Sequence, residues 1–93
     1  MTTSNFGTVI LTLAAQLSTA HVPFTVNKCF DGWQLRFPWC EGDVICHSGS
    51  YGHDDMCVES YQFSWDEGDV SVLTPDEAAE RIIACYADYM LDG

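Results

Sequence analysis

Apolar residues near the start of the chain recur at three- and four-residue spacing. Phe6, Val9, Ile10, Leu13, Ala14 and Leu17 have the period of a helix with one buried face. Ser4 or Asn5 precedes the run as a side-chain cap. The helix is expected to end between Thr19 and His21, because Pro23 cannot continue it and biases Val22 toward extended backbone. Beyond Pro23 the period falls to two. Phe24 to Lys28 and Trp33 to Phe37 alternate, and Asp31-Gly32 between them is a turn signal, so the two runs predict a hairpin with its loop at about Cys29 to Gly32.

Pro38 to Gly42 interrupts the alternation. Asp43 to His47, with Val44-Ile45 at its centre, predicts a third strand. Ser48 to Asp55 is rich in Gly and Ser and predicts a loop. Met56 to Trp65 reads two ways: Val58, Tyr61, Phe63 and Trp65 partly alternate, while Met56, Cys57, Tyr61 and Ser64 fit one side of a short helix. An acidic turn, Asp66-Glu67-Gly68-Asp69, leads into a brief strand, Val70 to Leu73.

Thr74-Pro75-Asp76-Glu77 is a strong helix start. Thr74 serves as N-cap, Pro75 stands at the first helical position, and Glu77 completes a capping box. Ala78, Ile82, Cys85, Tyr86, Tyr89 and Met90 then recur at helical spacing as far as Leu91. One α+β domain over residues 1–93 follows: a small antiparallel sheet of three to four strands with N-terminal and C-terminal helices packed on it. There is no internal repeat, low-complexity tract or linker.

Charge adds what the pattern does not supply. Fourteen Asp and Glu against three Lys and Arg give a formal net charge of −11. All the acids follow residue 30, whereas residues 1–30 carry only Lys28. Such a balance repels nucleic acid and anionic membrane and attracts basic surfaces. The 47% of apolar residues and three Trp exclude a disordered polyelectrolyte.

The run from Val9 to Leu17 is too short to span a bilayer and has no basic segment before it, so neither a membrane span nor a secretory signal is expected. Five cysteines, an odd number, do not form a closed disulfide framework. Free thiols in a reducing bacterial cytoplasm are expected.

Cys40, Cys46, His47, His53 and Cys57 fall within eighteen residues, but they contain no Cys-x-x-Cys, and neighbours in a strand point to opposite faces. No metal and no other cofactor is expected. A cysteine nucleophile would need a base such as His47 or His53, and the acidic field raises a thiol pKa, so no catalytic residue and no enzyme activity is assigned. Gly49-Ser50-Tyr51-Gly52 superficially resembles a phosphate cradle, but His53-Asp54-Asp55 follows it where a phosphate loop has Lys and Ser or Thr. Asp66-Glu67-Gly68-Asp69 lacks the alternating acids and closing Glu of a calcium loop.

The acids gather at Glu41 and Asp43, at Asp54, Asp55 and Glu59, at Asp66, Glu67 and Asp69, and at Asp76, Glu77 and Glu80. Three cations cannot neutralise them. Duplex DNA carries about one charge per 1.7 Å of axis, a density that such clusters approach if they share a surface. These eleven acids are the candidate partner-binding residues.

Three stretches, Asp31-Gly32-Trp33-Gln34-Leu35-Arg36-Phe37-Pro38, His47-Ser48-Gly49-Ser50-Tyr51-Gly52-His53 and Leu73-Thr74-Pro75-Asp76-Glu77-Ala78, give the chain a resemblance to small acidic proteins of phages and mobile elements of gut bacteria. By size and charge it is similar to anti-CRISPR and anti-restriction inhibitors that imitate DNA. That likeness implies a basic nucleic-acid-binding protein complex, such as a CRISPR effector, as partner. It implies no direct binding of nucleic acid, no membrane association, and a monomer or weak dimer. The alternative is a protein-interaction module whose contacts are Trp33, Trp39, Tyr51 and Trp65, the acids serving only solubility.

Overall fold

The computed structural model describes residues 6–50 and 55–92. Helix α1, Phe6–Thr19, buries Phe6, Val9, Ile10, Leu13, Ala14 and Leu17, the six positions its spacing marks. Its predicted caps, Ser4 and Asn5, lie outside the described residues. The helix ends where His21 takes a left-handed backbone (φ 60°). There the His21 N–H bonds the Ser18 carbonyl and the Val22 N–H bonds the Leu17 carbonyl. This double closure satisfies carbonyls that the last turn would otherwise leave open.

Five antiparallel strands follow in a simple meander: β1 Thr25–Cys29, β2 Gly32–Arg36, β3 Asp43–Cys46, β4 Val58–Tyr61 and β5 Val70–Leu73. The sheet thus has one strand more than the upper expectation. The extra strand comes from the ambiguous segment, in which Val58–Tyr61 is a strand and Ser64–Asp66 is a separate turn of 3-10 helix. Two short elements of different period in ten residues produce the mixed pattern.

Helix α2, Pro75–Asp92, closes the chain and packs with α1 on one face of the sheet. That face carries Leu35, Val44, Cys46, Val58, Ser60 and Leu73, all buried. Residues paired across an antiparallel ladder share a face. Leu35 lies opposite Val44, Val44 opposite Ser60, and Val58 opposite Leu73.

Among the described residues no helix packs on the other face, which holds two cross-strand rows. One runs Asn27, Gln34, Ile45, Glu59, Val72, and the other Thr25, Arg36, Asp43, Tyr61, Val70. Among the described residues no helix is long and apolar enough to cross a membrane.

The start of α2 is the capping box its sequence predicts. The Glu77 N–H donates to Thr74 Oγ1 at 3.1 Å, and the Thr74 N–H donates to Glu77 Oε1 at 3.0 Å. Thr74→Ala removes one of these bonds and exposes an orphan donor, so it is expected to cost about 0.5–2 kcal/mol. A lowered melting temperature checks this, and an unchanged one would mean that the box contributes nothing.

Candidate functional site

The strand order decides where the acidic clusters fall. Glu41 and Asp43 stand at the start of β3, and Glu67 and Asp69 lie just before β5, so all four sit at the sheet end where β1 begins. Asp55, before β4, and Asp76 and Glu77, after β5, lie at the opposite end. Asp54 lies outside the described residues. Glu59 is half-buried in the middle of the sheet face opposite the helices, and Glu80 is exposed on α2. The clusters therefore form two rims rather than one patch. Strands of four or five residues at about 3.3 Å per residue hold the rims roughly 13–17 Å apart.

Several of these carboxylates also have local work. Asp43 Oδ2 accepts from Gln34 Nε2 at 2.8 Å, and Asp76 Oδ1 from Gln16 Nε2 at 2.9 Å. Asp69 accepts from the Val70 N–H at 2.8 Å. Asp69 and Asp76 remain exposed in these bonds, whereas Asp43 is half-buried.

Asp66 is a correction to the expected surface. It is buried, 5% exposed, and its two oxygens accept from Ser60 Oγ at 2.8 Å and from the Phe63 N–H at 3.1 Å. Trp65 Nε1 donates in turn to Ser60 Oγ at 3.1 Å. The carboxylate holds the 3-10 turn to β4, with both oxygens bonded inside the domain and not presented at the surface. Its signal in the sequence is positional: a carboxylate three residues after Phe63 can reach back to a helix-start amide. Glu67 (φ 51°) and Gly68 (φ 86°) then reverse the chain.

Sequence reasoning also missed Asp31. Its carboxylate accepts from the Ser48 N–H at 3.0 Å and ties the β1–β2 turn to the loop after β3. This bond holds the Asp31 carboxyl below the usual carboxylate range. Nearby, His47 Nδ1 accepts from the Gly49 N–H at 2.9 Å, while Ser50 Oγ accepts from the His47 N–H and donates to the His47 carbonyl. The described part of the glycine-serine loop is thus a self-bonded turn. Tyr51, Gly52 and His53 lie outside the described residues.

The aromatic candidates separate. Trp65 stacks on Phe63 with centroids 4.4 Å apart and an interplanar angle of 6°. Trp33 lies 4.6 Å beneath the Lys28 ammonium. Trp39 donates from Nε1 to the Pro23 carbonyl at 3.0 Å and leans on Tyr86 and Tyr89 at 5.0 and 5.8 Å. With Pro38 and Met90 these residues line a shallow groove. Tyr89 is 48% and Met90 58% exposed, although both sit at positions whose spacing marks them for the core.

All five thiols are free. Among the described residues no three His, Cys, Asp or Glu side chains converge as a metal site. Cys40 precedes β3, and Cys46 lies at the opposite end of that strand in the core. Burial pushes every thiol up, with smaller contributions from neighbours: Asp43 at Cys29, Asp55 and Glu77 at Cys57, Asp88 at Cys85, and Cys85 and Glu41 at Cys40. Cys46 is raised from 9.0 to about 11, mainly by burial and further by Cys57.

A thiol held neutral is a poor nucleophile and a poor metal ligand. In native protein at pH 7–8, disulfide reagents are expected to react slowly, with Cys46 last, and denaturation should release five sulfhydryls. Because the folded pKa of Cys46 is raised, its contribution to stability is complete below pH 9.0 and is lost as pH rises through about 11. Cys46→Ala should flatten the fall in melting temperature across that window. Fast labelling of Cys46, or a zinc ion retained in native mass spectrometry, would contradict this account.

No protein-family model, no curated protein and no solved structure matches the chain.

Proposed function

We propose that the protein is a non-enzymatic inhibitor, of phage or mobile-element origin, that acts in the cytoplasm of a bacterial host. It occupies the basic nucleic-acid channel of a defence complex such as a CRISPR effector. Exposed carboxylates stand where phosphates would, and the inhibitor itself binds no nucleic acid. The observation that carries this reading is the pair of acidic rims at the two ends of the sheet. Their separation of roughly 13–17 Å is close to the width of about 12 Å of a DNA major groove. Two rows of negative charge flanking a groove are what a basic channel is shaped to receive, and 14 acids against three cations leave a net charge of −11.

Displacement of fluorescent duplex DNA from purified CRISPR effector complexes tests the proposal. Displacement should occur and should weaken as salt rises, because exposed charges are screened beyond about 8 Å at physiological ionic strength. Binding that leaves the DNA in place would sink the mimicry reading.

The groove of Trp39, Tyr86 and Tyr89 favours a second reading, an interaction module with an aromatic contact surface. Exposed Tyr and Trp supply large contact area at low entropic cost and dominate many protein interfaces. In that case Tyr89→Ala, whose side chain is 48% exposed, should weaken partner capture while added salt has little effect.

A further inference from the structure

The last turns of α2 carry an aromatic ladder. Tyr86 and Tyr89 stand one turn apart, their ring centroids separated by 6.1 Å and their planes inclined by 21°. Trp39 leans on both, and Pro23, Pro38 and Met90 complete a groove of about 310 Å³. It lies at the sheet end where β1 begins, because Pro23 precedes β1 and Pro38 and Trp39 follow β2. The residues that adjoin the undescribed stretches 1–5 and 51–54 lie toward the opposite end. Gly7 is near Trp33, which pairs with Cys46 at the close of β3, and Ser50 and Asp55 flank the β3–β4 connection.

What the walls offer selects the occupant. They present aromatic faces and the phenol hydroxyls of Tyr86 and Tyr89, which make no hydrogen bond among the described residues. The Trp39 indole N–H is already given to the Pro23 carbonyl at 3.0 Å. The groove therefore offers rings and hydroxyl donors rather than a strand edge. A polyproline II segment suits such walls. It has no internal hydrogen bonds, so its carbonyls are free to accept from side-chain donors, and its prolines bring no N–H for the rings to leave unsatisfied. It advances about 3.1 Å per residue, so two residues cover about 6.2 Å, the spacing of the two tyrosine rings.

Charge adds a cation to the segment. The chain carries −11, and Glu41, two residues after Trp39, and Asp88, next to Tyr89, are exposed. This field disfavours nucleic acid and a second copy of the chain alike. An arginine guanidinium both pairs with carboxylates and stacks on aromatic faces. Trp33 and Trp65 already hold cations of the chain, Lys28 and Arg81, whereas among the described residues none stands over Trp39, Tyr86 or Tyr89.

We propose that the groove receives a proline-rich, arginine-bearing segment of a partner protein in polyproline II conformation. Its prolines lie against Trp39, Tyr86 and Tyr89, and its guanidinium pairs with the carboxylates beside them, Glu41 and Asp88. The proposal rests on the aromatic-groove reading above and supplies the chemistry of its ligand.

An NMR titration of isotope-labelled protein with the capped peptide Arg-Pro-Pro-Ala-Pro-Pro-Arg tests it. Saturable shifts centred on Trp39, Tyr86 and Tyr89 are expected, with a Kd below ~1 mM. Replacing every proline by alanine, or both arginines by glutamate, should weaken binding roughly tenfold or more. Tyr89→Ala truncates a side chain that is 48% exposed and should cost a similar factor, since buried aromatic anchors dominate interfaces. Tyr89→Phe keeps the ring without the hydroxyl and should fall between Tyr89→Ala and the parent. Glu41→Gln with Asp88→Asn should lower affinity several-fold and flatten its dependence on salt. Circular dichroism checks that the variants remain folded. No binding at ~1 mM peptide, shifts centred elsewhere, or equal affinity for the glutamate-flanked peptide would overturn the proposal. Whether the groove is an interface at all is read separately, from the effect of Tyr89→Ala on the complex with the partner: a peptide that fails while that variant still weakens the complex removes the proline-rich ligand alone.

Discussion

Asp66→Ala is expected to destabilise the domain by about 2–5 kcal/mol, because each buried donor left unsatisfied costs about 1–3 kcal/mol. Two donors lose their acceptor, the Ser60 hydroxyl and the Phe63 N–H. Ser60 is fully buried and also accepts from the Trp65 indole, so its reorientation disturbs a third group. The stacked Phe63–Trp65 pair is built on the same turn.

A loss of this size is a large part of the 5–15 kcal/mol that usually separates folded from unfolded protein. For a chain of this length it lowers the melting temperature by roughly 10–30 °C. Asp66→Asn keeps one carbonyl acceptor and should fall between parent and Ala. Glu67→Gln, one residue away and exposed, should stay within about 0.5 kcal/mol. A thermal melt of the three variants checks the order. Equal melting temperatures for Asp66→Ala and Glu67→Gln would show that the buried carboxylate does not hold the turn.

Asp66 also shows where sequence reasoning stops. In the chain it is one more acid beside Glu67 and Asp69, and its spacing from Phe63 becomes meaningful only once Ser64–Asp66 is known to be a 3-10 turn. The apolar faces of α1 and the first half of α2 were legible because helical spacing maps directly onto burial when a sheet lies beneath. Ala78 and Ile82 are buried as their spacing predicts.

Tyr89 and Met90 follow the same spacing and are exposed for a geometric reason. An α2 of 18 residues is about 27 Å long, whereas the strands are roughly 13–17 Å. The last turns therefore overrun the sheet and lie beside Trp39, Pro23 and Pro38. β4 escaped a clear reading because four residues of strand and three of 3-10 helix share one short segment. The two acidic rims depend on strand order, which composition does not encode: clusters far apart in sequence, such as Glu41 and Glu67, meet at one sheet end.

Neutralising one rim is expected to weaken the complex with a basic partner by roughly 1–3 kcal/mol, about five- to a hundredfold, because exposed ion pairs contribute about 0.2–1 kcal/mol each. The substitutions follow from the geometry. Glu41→Gln, Glu67→Gln and Asp69→Asn remove charge at the end where β1 begins, and Asp55→Asn, Asp76→Asn and Glu80→Gln act at the opposite end and on α2. Asp66 and Glu77 are spared, since one is buried and the other caps α2. Removing like charges relieves self-repulsion, so both triple variants should melt no lower than the parent. If the rims imitate two phosphate rows, each triple variant should lose affinity, and combining them should add the losses because the rims lie farther apart than about 8 Å of screening. The dependence on salt should flatten with each step, since fewer charges remain to be screened. DNA-displacement titrations at two salt concentrations measure both quantities. A partner complex indifferent to both triple variants and to salt, yet weakened by Tyr89→Ala, would transfer the binding surface from the carboxylate rims to the aromatic groove.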